Sequence, residues 1–134
     1  QADGTEKLVK DDTIKNLIVD VGKDSIMKRL GNMSGGGYAE NIGVGDSTTA
    51  AAAGQTDLQA SSNKTYKTIA GADYVYTRPT LFVSVDFGYS EANYTWNEIC
   101  LRDNNDVLLA RQVDSSPLGK TSSKRAIVEW QLSI

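Results

Sequence analysis

The chain has 134 residues, enough for one domain around one apolar core. A formal charge of -3 argues against a general nucleic-acid binder, which needs a basic face for phosphates. With no histidine and one cysteine, the chain lacks Ser-His-Asp and Cys-His catalysis, a cysteine-rich zinc site and an intramolecular disulfide framework.

Nor does any apolar run approach the roughly 20 residues that cross a bilayer. No signal peptide is visible, and the chain begins at Gln1 without Met, which leaves room for residues upstream. Residues 1–11 are polar and read as an N-terminal arm. Asp11-Asp12-Thr13 then offers an N-cap, followed by Ile14, Leu17, Ile18 and Val21 at helical spacing and by Ile26 and Leu30. Lys28 and Arg29 suit a helix C-terminus, and Gly31-Asn32 is a stop. The pattern predicts an amphipathic helix over 12–31, packed on the chain's own sheet, with Gly22 weakening its middle.

Ser34-Gly35-Gly36-Gly37 is a break, and Tyr38 to Val44 is a short strand. Gly43-Val44-Gly45-Asp46 has the look of a phosphate loop but lacks a third glycine in place, a GK[ST] and a βαβ setting, so a tight turn is expected. Ser47 to Asn63 is small and polar, a long excursion with one helical turn expected near Leu58. Loops of this length are usually functional or buried against a partner.

From Tyr66 the period becomes two. Tyr74 and Tyr76 form one run, Arg78-Pro79 interrupts it, and Leu81, Val83, Val85 and Phe87 line the buried face of the next strand. Gly88 to Asn93 is a connection. Strands near 94–102 and 107–113 flank Asp103-Asn104-Asn105-Asp106, whose residue types tolerate left-handed backbone and mark a hairpin tip. Asp114 to Ser123, with Pro117 and Gly119, reads as a loop. Ala126, Val128, Trp130, Leu132 and Ile134 alternate with polar residues in a last strand tied into the sheet. The chain is therefore a single, mainly β domain: an antiparallel β-sandwich or jelly-roll-like fold with one N-terminal amphipathic α-helix (α+β).

Candidate chemistry is sparse. Asp86, Glu91, Glu98, Asp103, Asp106 and Asp114 are the acids from which a glycosidase-like pair would come, yet their spacing singles out no two. The DNND run lacks the glycine and final glutamate of an EF-hand loop, so a hairpin tip is favoured over a Ca²⁺ site. Tyr66, Tyr74, Tyr76, Tyr89, Tyr94 and Trp96 would form a sugar-binding row only if exposed together. Core or interface is the commoner place for strand aromatics. Trp96 and Trp130 belong in the core or at a subunit contact, and Cys100, inside an apolar run, reads as a buried inert thiol. No catalytic, cofactor or metal residue is expected.

Several short pieces nevertheless recur in order. They are Ile42-Gly43-Val44-Gly45-Asp46-Ser47-Thr48-Thr49-Ala50, Thr56-Asp57-Leu58, Ser90-Glu91-Ala92-Asn93, Asn97-Glu98-Ile99, Leu108-Leu109-Ala110-Arg111 and Lys120-Thr121. Across 12–134 this order resembles structural proteins of tailed bacteriophages, including tail-collar fibre domains and small capsid or tail accessory proteins. Cys100 stands where that pattern usually has glycine. The resemblance implies a non-enzymatic virion protein assembled in the host cytoplasm. A capsid decoration (cement) protein fits best, because the domain stands alone without a fibre shaft or repeat. It would clamp the major capsid protein as a homo-oligomer, trimer favoured, with no cofactor, nucleic acid or membrane. Tyr38, Ile42, Val44, Asp46 and Leu58 are the candidate partner-binding residues, in or beside a segment that would reach a neighbour. A tail, baseplate or fibre-attachment component is the alternative, and a carbohydrate-binding module or a carboxylate-only hydrolase stand further off.

Overall fold

The computed structural model describes residues 6–10 and 17–133, with side chains from Leu17 onward except at Ser115. Among the described residues the order opens with β1 (Glu6–Lys10), β2 (Leu17–Ile18), α1 (Asp20–Leu30), β3 (Ala39–Gly45) and β4 (Lys64–Thr68). A 3-10 turn at Gly71–Asp73 precedes β5 (Tyr74–Thr77), β6 (Thr80–Phe87), β7 (Thr95–Asp103), β8 (Leu108–Gly119) and β9 (Lys124–Ser133). The strands form a four-stranded sheet in the order β1-β9-β6-β5 and a five-stranded sheet in the order β2-β8-β7-β3-β4. Pairing is antiparallel except between β1 and β9. The fold is mainly β with one helix near the N-terminal region, as the periodicities predict.

Period-two burial makes the two sheets face each other. Val83, Val85 and Phe87 of β6 and Ala126, Val128 and Trp130 of β9 pack against Ile42 and Val44 of β3 and Ile99 and Leu101 of β7. Trp96 closes one end of this core, its indole N–H donating to the Ala92 carbonyl at 2.9 Å and its ring meeting Phe87 edge-on at 5.1 Å. The β7–β8 hairpin turns where DNND predicts. Asp103 Oδ1 accepts the N–H groups of Asn105 (2.8 Å) and Val107 (2.9 Å), and Asp106 takes the left-handed conformation at φ 61°.

Four expectations are corrected. First, the helix spans 20–30, not 12–31: Leu17 and Ile18 pair with Arg111 and Ala110 of β8, while the cap at Asp11-Asp12-Thr13 and Ile14 lies outside the described residues. The face that α1 buries consists of Gly22 and Ser25, not an apolar stripe. Close approach is the reason, since a side-chain carbon at Gly22 would overlap the carbonyl of Leu109. Second, within the N-terminal arm Glu6–Lys10 is a strand beside 124–128 of β9.

Third, Gly43-Val44-Gly45 is no turn. It lies within β3, paired on both sides with β4 and β7. The excursion that follows has no helical turn at Leu58. Fourth, β8 continues through the expected 114–123 loop to Gly119, pairing Leu118 with Trp96 and Gly119 with Thr95. The register shifts between Trp96 and Glu98, so the stretch holding Pro117 is a bulge, where a missing N–H costs no ladder bond.

Candidate functional site

Alternation sends Ile42 and Val44 of β3 inward and turns Gly43 and Gly45 to the outer face of the five-stranded sheet. Across from them in register stand Cys100 and Glu98 of β7. Side chains at these glycines would collide with the Tyr66 ring and Cys100 Sγ, or with the Glu98 carboxylate. Glycine here clears room for a buried polar group.

That group is an ion pair. Arg111 Nε donates to Glu98 Oε1 at 2.9 Å, and both side chains are fully buried. Residues 46–63 cross over the pair as a strap. Glu98 accepts the N–H groups of Gln59 (2.8 Å), Ala60 (2.9 Å) and Ser47 (3.4 Å), while Arg111 Nη1 donates to Gln55 Oε1 at 3.0 Å. Asn97 Nδ2 donates to the Asp46 carbonyl at 2.9 Å, and the Asp20 N–H to the Ala53 carbonyl at 2.8 Å. Beneath the strap, Leu58 joins Val19, Cys100 and Leu108 in a second, smaller apolar cluster flanked by Tyr66. Burial pushes the Cys100 thiol up to about 12, so it is held protonated. Asp57 anchors the strap laterally, bonded to the Tyr66 hydroxyl and paired with Lys64 at 3.4 Å. Burial alone would raise its carboxyl, but these partners and the Leu58 N–H hold it below the usual value.

A second polar clamp closes the 88–93 turn. Lys120 Nζ donates to Asn93 Oδ1 (2.7 Å) and the Gly88 carbonyl (2.8 Å), and burial lowers its pKa. Glu91 accepts from Lys67 (2.6 Å) and from the Gly88 N–H (2.7 Å). A third joins helix to hairpin: Ser25 Oγ donates to buried Asp103 Oδ2 at 2.5 Å and accepts the Gly37 N–H at 3.0 Å.

Of the five candidate partner-binding residues, Ile42, Val44 and Leu58 are buried and take no part in any outer surface. Asp46 is half-buried at the neck of the strap, bonded to Asn63 at 2.9 Å. Tyr38 is exposed. Also exposed are Met27 (63%), Leu30 (80%) and Met33 (63%), in or just after the last turn of α1; of these, the helical pattern had placed Leu30 on the buried side. Beside them Ile18, Ile26, Ala39, Leu81, Leu101, Leu109 and Leu132 line an apolar cavity of about 160 Å³ between the sheets.

The aromatic row does not form: Trp96 is in the core, Tyr94 and Tyr74 bond main-chain carbonyls, and Tyr66 lies under Arg102 at 3.6 Å. Nor do the six acids pair with one another. Asp86 meets Arg125, Glu91 meets Lys67, Glu98 meets Arg111, Asp106 meets Arg102, and Asp103 and Asp114 accept main-chain N–H groups. Sequence reading passed over the Glu98–Arg111 latch. Its trace was present as an acid and a base set within the apolar runs around Ile99 and Leu109.

Comparison of the chain with protein-family models, with characterised proteins and with solved structures returns no match.

Proposed function

We propose that the chain is a non-enzymatic virion structural protein of a tailed phage, a capsid decoration protein that stabilises the major capsid lattice by binding. One observation carries this reading. Gly45, Glu98 and Arg111 belong to separate pieces of the ordered phage-like pattern and meet at the latch, while Gly43 and Leu58, from that pattern too, flank it around Cys100. Asn93 and Lys120, from two further pieces, meet in the clamp at the 88–93 turn. Residues so far apart in the chain keep company when they serve one scaffold, which supports a likeness of fold over a chance string of letters. The pattern is then a folding signature, and the surface that touches a partner lies elsewhere.

The exposed Met27 and Leu30, one turn apart on α1, with Met33 and Tyr38 in the segment that follows, offer apolar side chains for that surface. The first test is the copy number in purified particles, by quantitative mass spectrometry against the major capsid protein. A ratio near one per capsid subunit, or a fixed simple fraction in the hundreds of copies, is the expected result. A few dozen copies or fewer would instead assign it to the tail or baseplate. Absence from the particle would overturn the virion reading, and titration with host polysaccharide while following tryptophan fluorescence would come next.

A further inference from the structure

We infer that residues 46–63 are a detachable strap, a two-position element whose opening uncovers a second apolar strip while the sandwich stays folded. Three observations point the same way. Only Leu58 and Ala60 of the strap are buried, and its remaining residues are half-buried or exposed. Its two ends are already neighbours: the Asp46 N–H meets the Asn63 carbonyl at 3.2 Å, and the β3–β4 ladder resumes at once with Gly45 opposite Lys64. Lifting the strap therefore parts no strands, as in compact loops whose ends are held together. Three of its N–H groups converge on one carboxylate, Glu98, with Gln55 on Arg111 beside it; outside this centre it is tied through the Ala53 and Asp46 carbonyls and by Asp57 to Tyr66 and Lys64.

Opening is made easier by what it leaves behind. Glu98 and Arg111 remain partners of each other at 2.9 Å, and water reaches both, so no unpaired charge is stranded in a dry interior. Val19, Cys100, Leu108 and the face of Tyr66 come into view. Segments that open in this way belong to the low-stability end of a fold and are where a second conformation resides. This inference stands apart from the virion reading, and neither depends on the other.

The protein carries its own reporter, because Cys100 is the single cysteine and is wholly covered in the closed position. The wild-type chain would be mixed with a chromogenic aromatic disulfide over a series of low urea concentrations. Global unfolding would be followed separately by the fluorescence of Trp96 and Trp130. The expected result is thiol labelling far faster than global unfolding, with a shallow urea dependence, and the same opening in hydrogen exchange at the Gln59 and Ala60 amides. Glu98→Gln should then raise the labelling rate on the order of 100-fold by weakening three charge-assisted bonds, while fluorescence still reports a folded sandwich. Should that variant fail to fold, Gln55→Ala removes one tie on Arg111 and should raise labelling roughly tenfold. Labelling of the wild-type chain only at the rate and with the full urea slope of global unfolding would overturn the strap. An unchanged rate in a folded Glu98→Gln protein would overturn the latch.

Discussion

On the inner face of the five-stranded sheet, Ile42, Val44, Ile99 and Leu101 meet Val83, Phe87, Val128 and Trp130 of the opposite sheet. On its outer face the same two strands, β3 and β7, present Gly43, Gly45, Glu98 and Cys100 beneath the strap. The inner face is held by area removed from water, a non-directional term that grows with each buried carbon. The outer face is held by directed hydrogen bonds around an ion pair, in which the buried Arg111 Nη2 is left without a partner; there geometry decides, and a missing partner costs more than the bond contributed. One sheet can thus have a face that loses stability when carbon is removed and a face that loses it when carbon is added.

Truncating Trp96 to alanine should have the largest effect, a loss of about 3–5 kcal/mol, because it opens a cavity and removes the indole bond to the Ala92 carbonyl. Urea denaturation followed by far-UV circular dichroism measures it. Gly45→Ala tests the opposite rule: the new methyl meets the Glu98 carboxylate, and a cost of about 1–3 kcal/mol is expected although apolar surface is gained. A gain in stability in the same urea titration would abolish the contrast between the faces.

The third prediction concerns the clamp at the sheet's end. The Lys67 ammonium and the Gly88 N–H hold the Glu91 carboxyl below its ordinary value, against a smaller opposing effect of burial. A lowered carboxylate adds stability above its unfolded-state value of about 4.3, and that stability is lost as pH falls through the folded value. Since both side chains are more than a third exposed or close to it, the contribution should stay below about 1 kcal/mol. Comparing Glu91→Gln with wild type in thermal melts from pH 6 down to about 3 should show the difference shrinking toward acid. A difference independent of pH would remove the pair from the account. Smallest of all, Asp106→Gly should stabilise the hairpin by about 0.5 kcal/mol by relieving the left-handed backbone at the tip, at a place belonging to neither face. Differential scanning calorimetry would resolve it, and a loss instead would mean that the Arg102–Asp106 contact outweighs the strain.

Wherever alternation or turn chemistry is local, the fold was legible. Val83-Val85-Phe87, Ala126-Val128-Trp130 and the DNND tip each state their conformation within a few residues. The misreadings arose where a residue's role was set by a distant partner. Gly22 looks like a weak helix position until Leu109 lies against it, and Gly43-Val44-Gly45 looks like a turn until Glu98 and Cys100 need the space. Leu17 and Ile18 fit a helical stripe as well as a strand, and pairing with β8 decides between them. Leu58 sat in a stretch too polar to promise burial, yet the strap carries it onto Leu108. At the candidate surface, Leu30 and Met27 are indistinguishable in sequence from core residues, because nothing local tells which side of a short helix the rest of the chain will cover.

The order β1-β9-β6-β5 has a consequence for biosynthesis. All five strands of the larger sheet are complete once Gly119 has emerged from the ribosome, but the smaller sheet then holds only the β5–β6 hairpin, with β1 unpaired. Strand β9 is made after all the other described strands, and it bridges β1 and β6, which cannot join without it. Until β9 arrives, Val83, Val85 and Phe87 lie on a strand with one open edge, the arrangement most prone to pairing with another nascent chain. A ribosomal stall or frameshift within the codons for β9 would therefore yield a sticky, half-closed product.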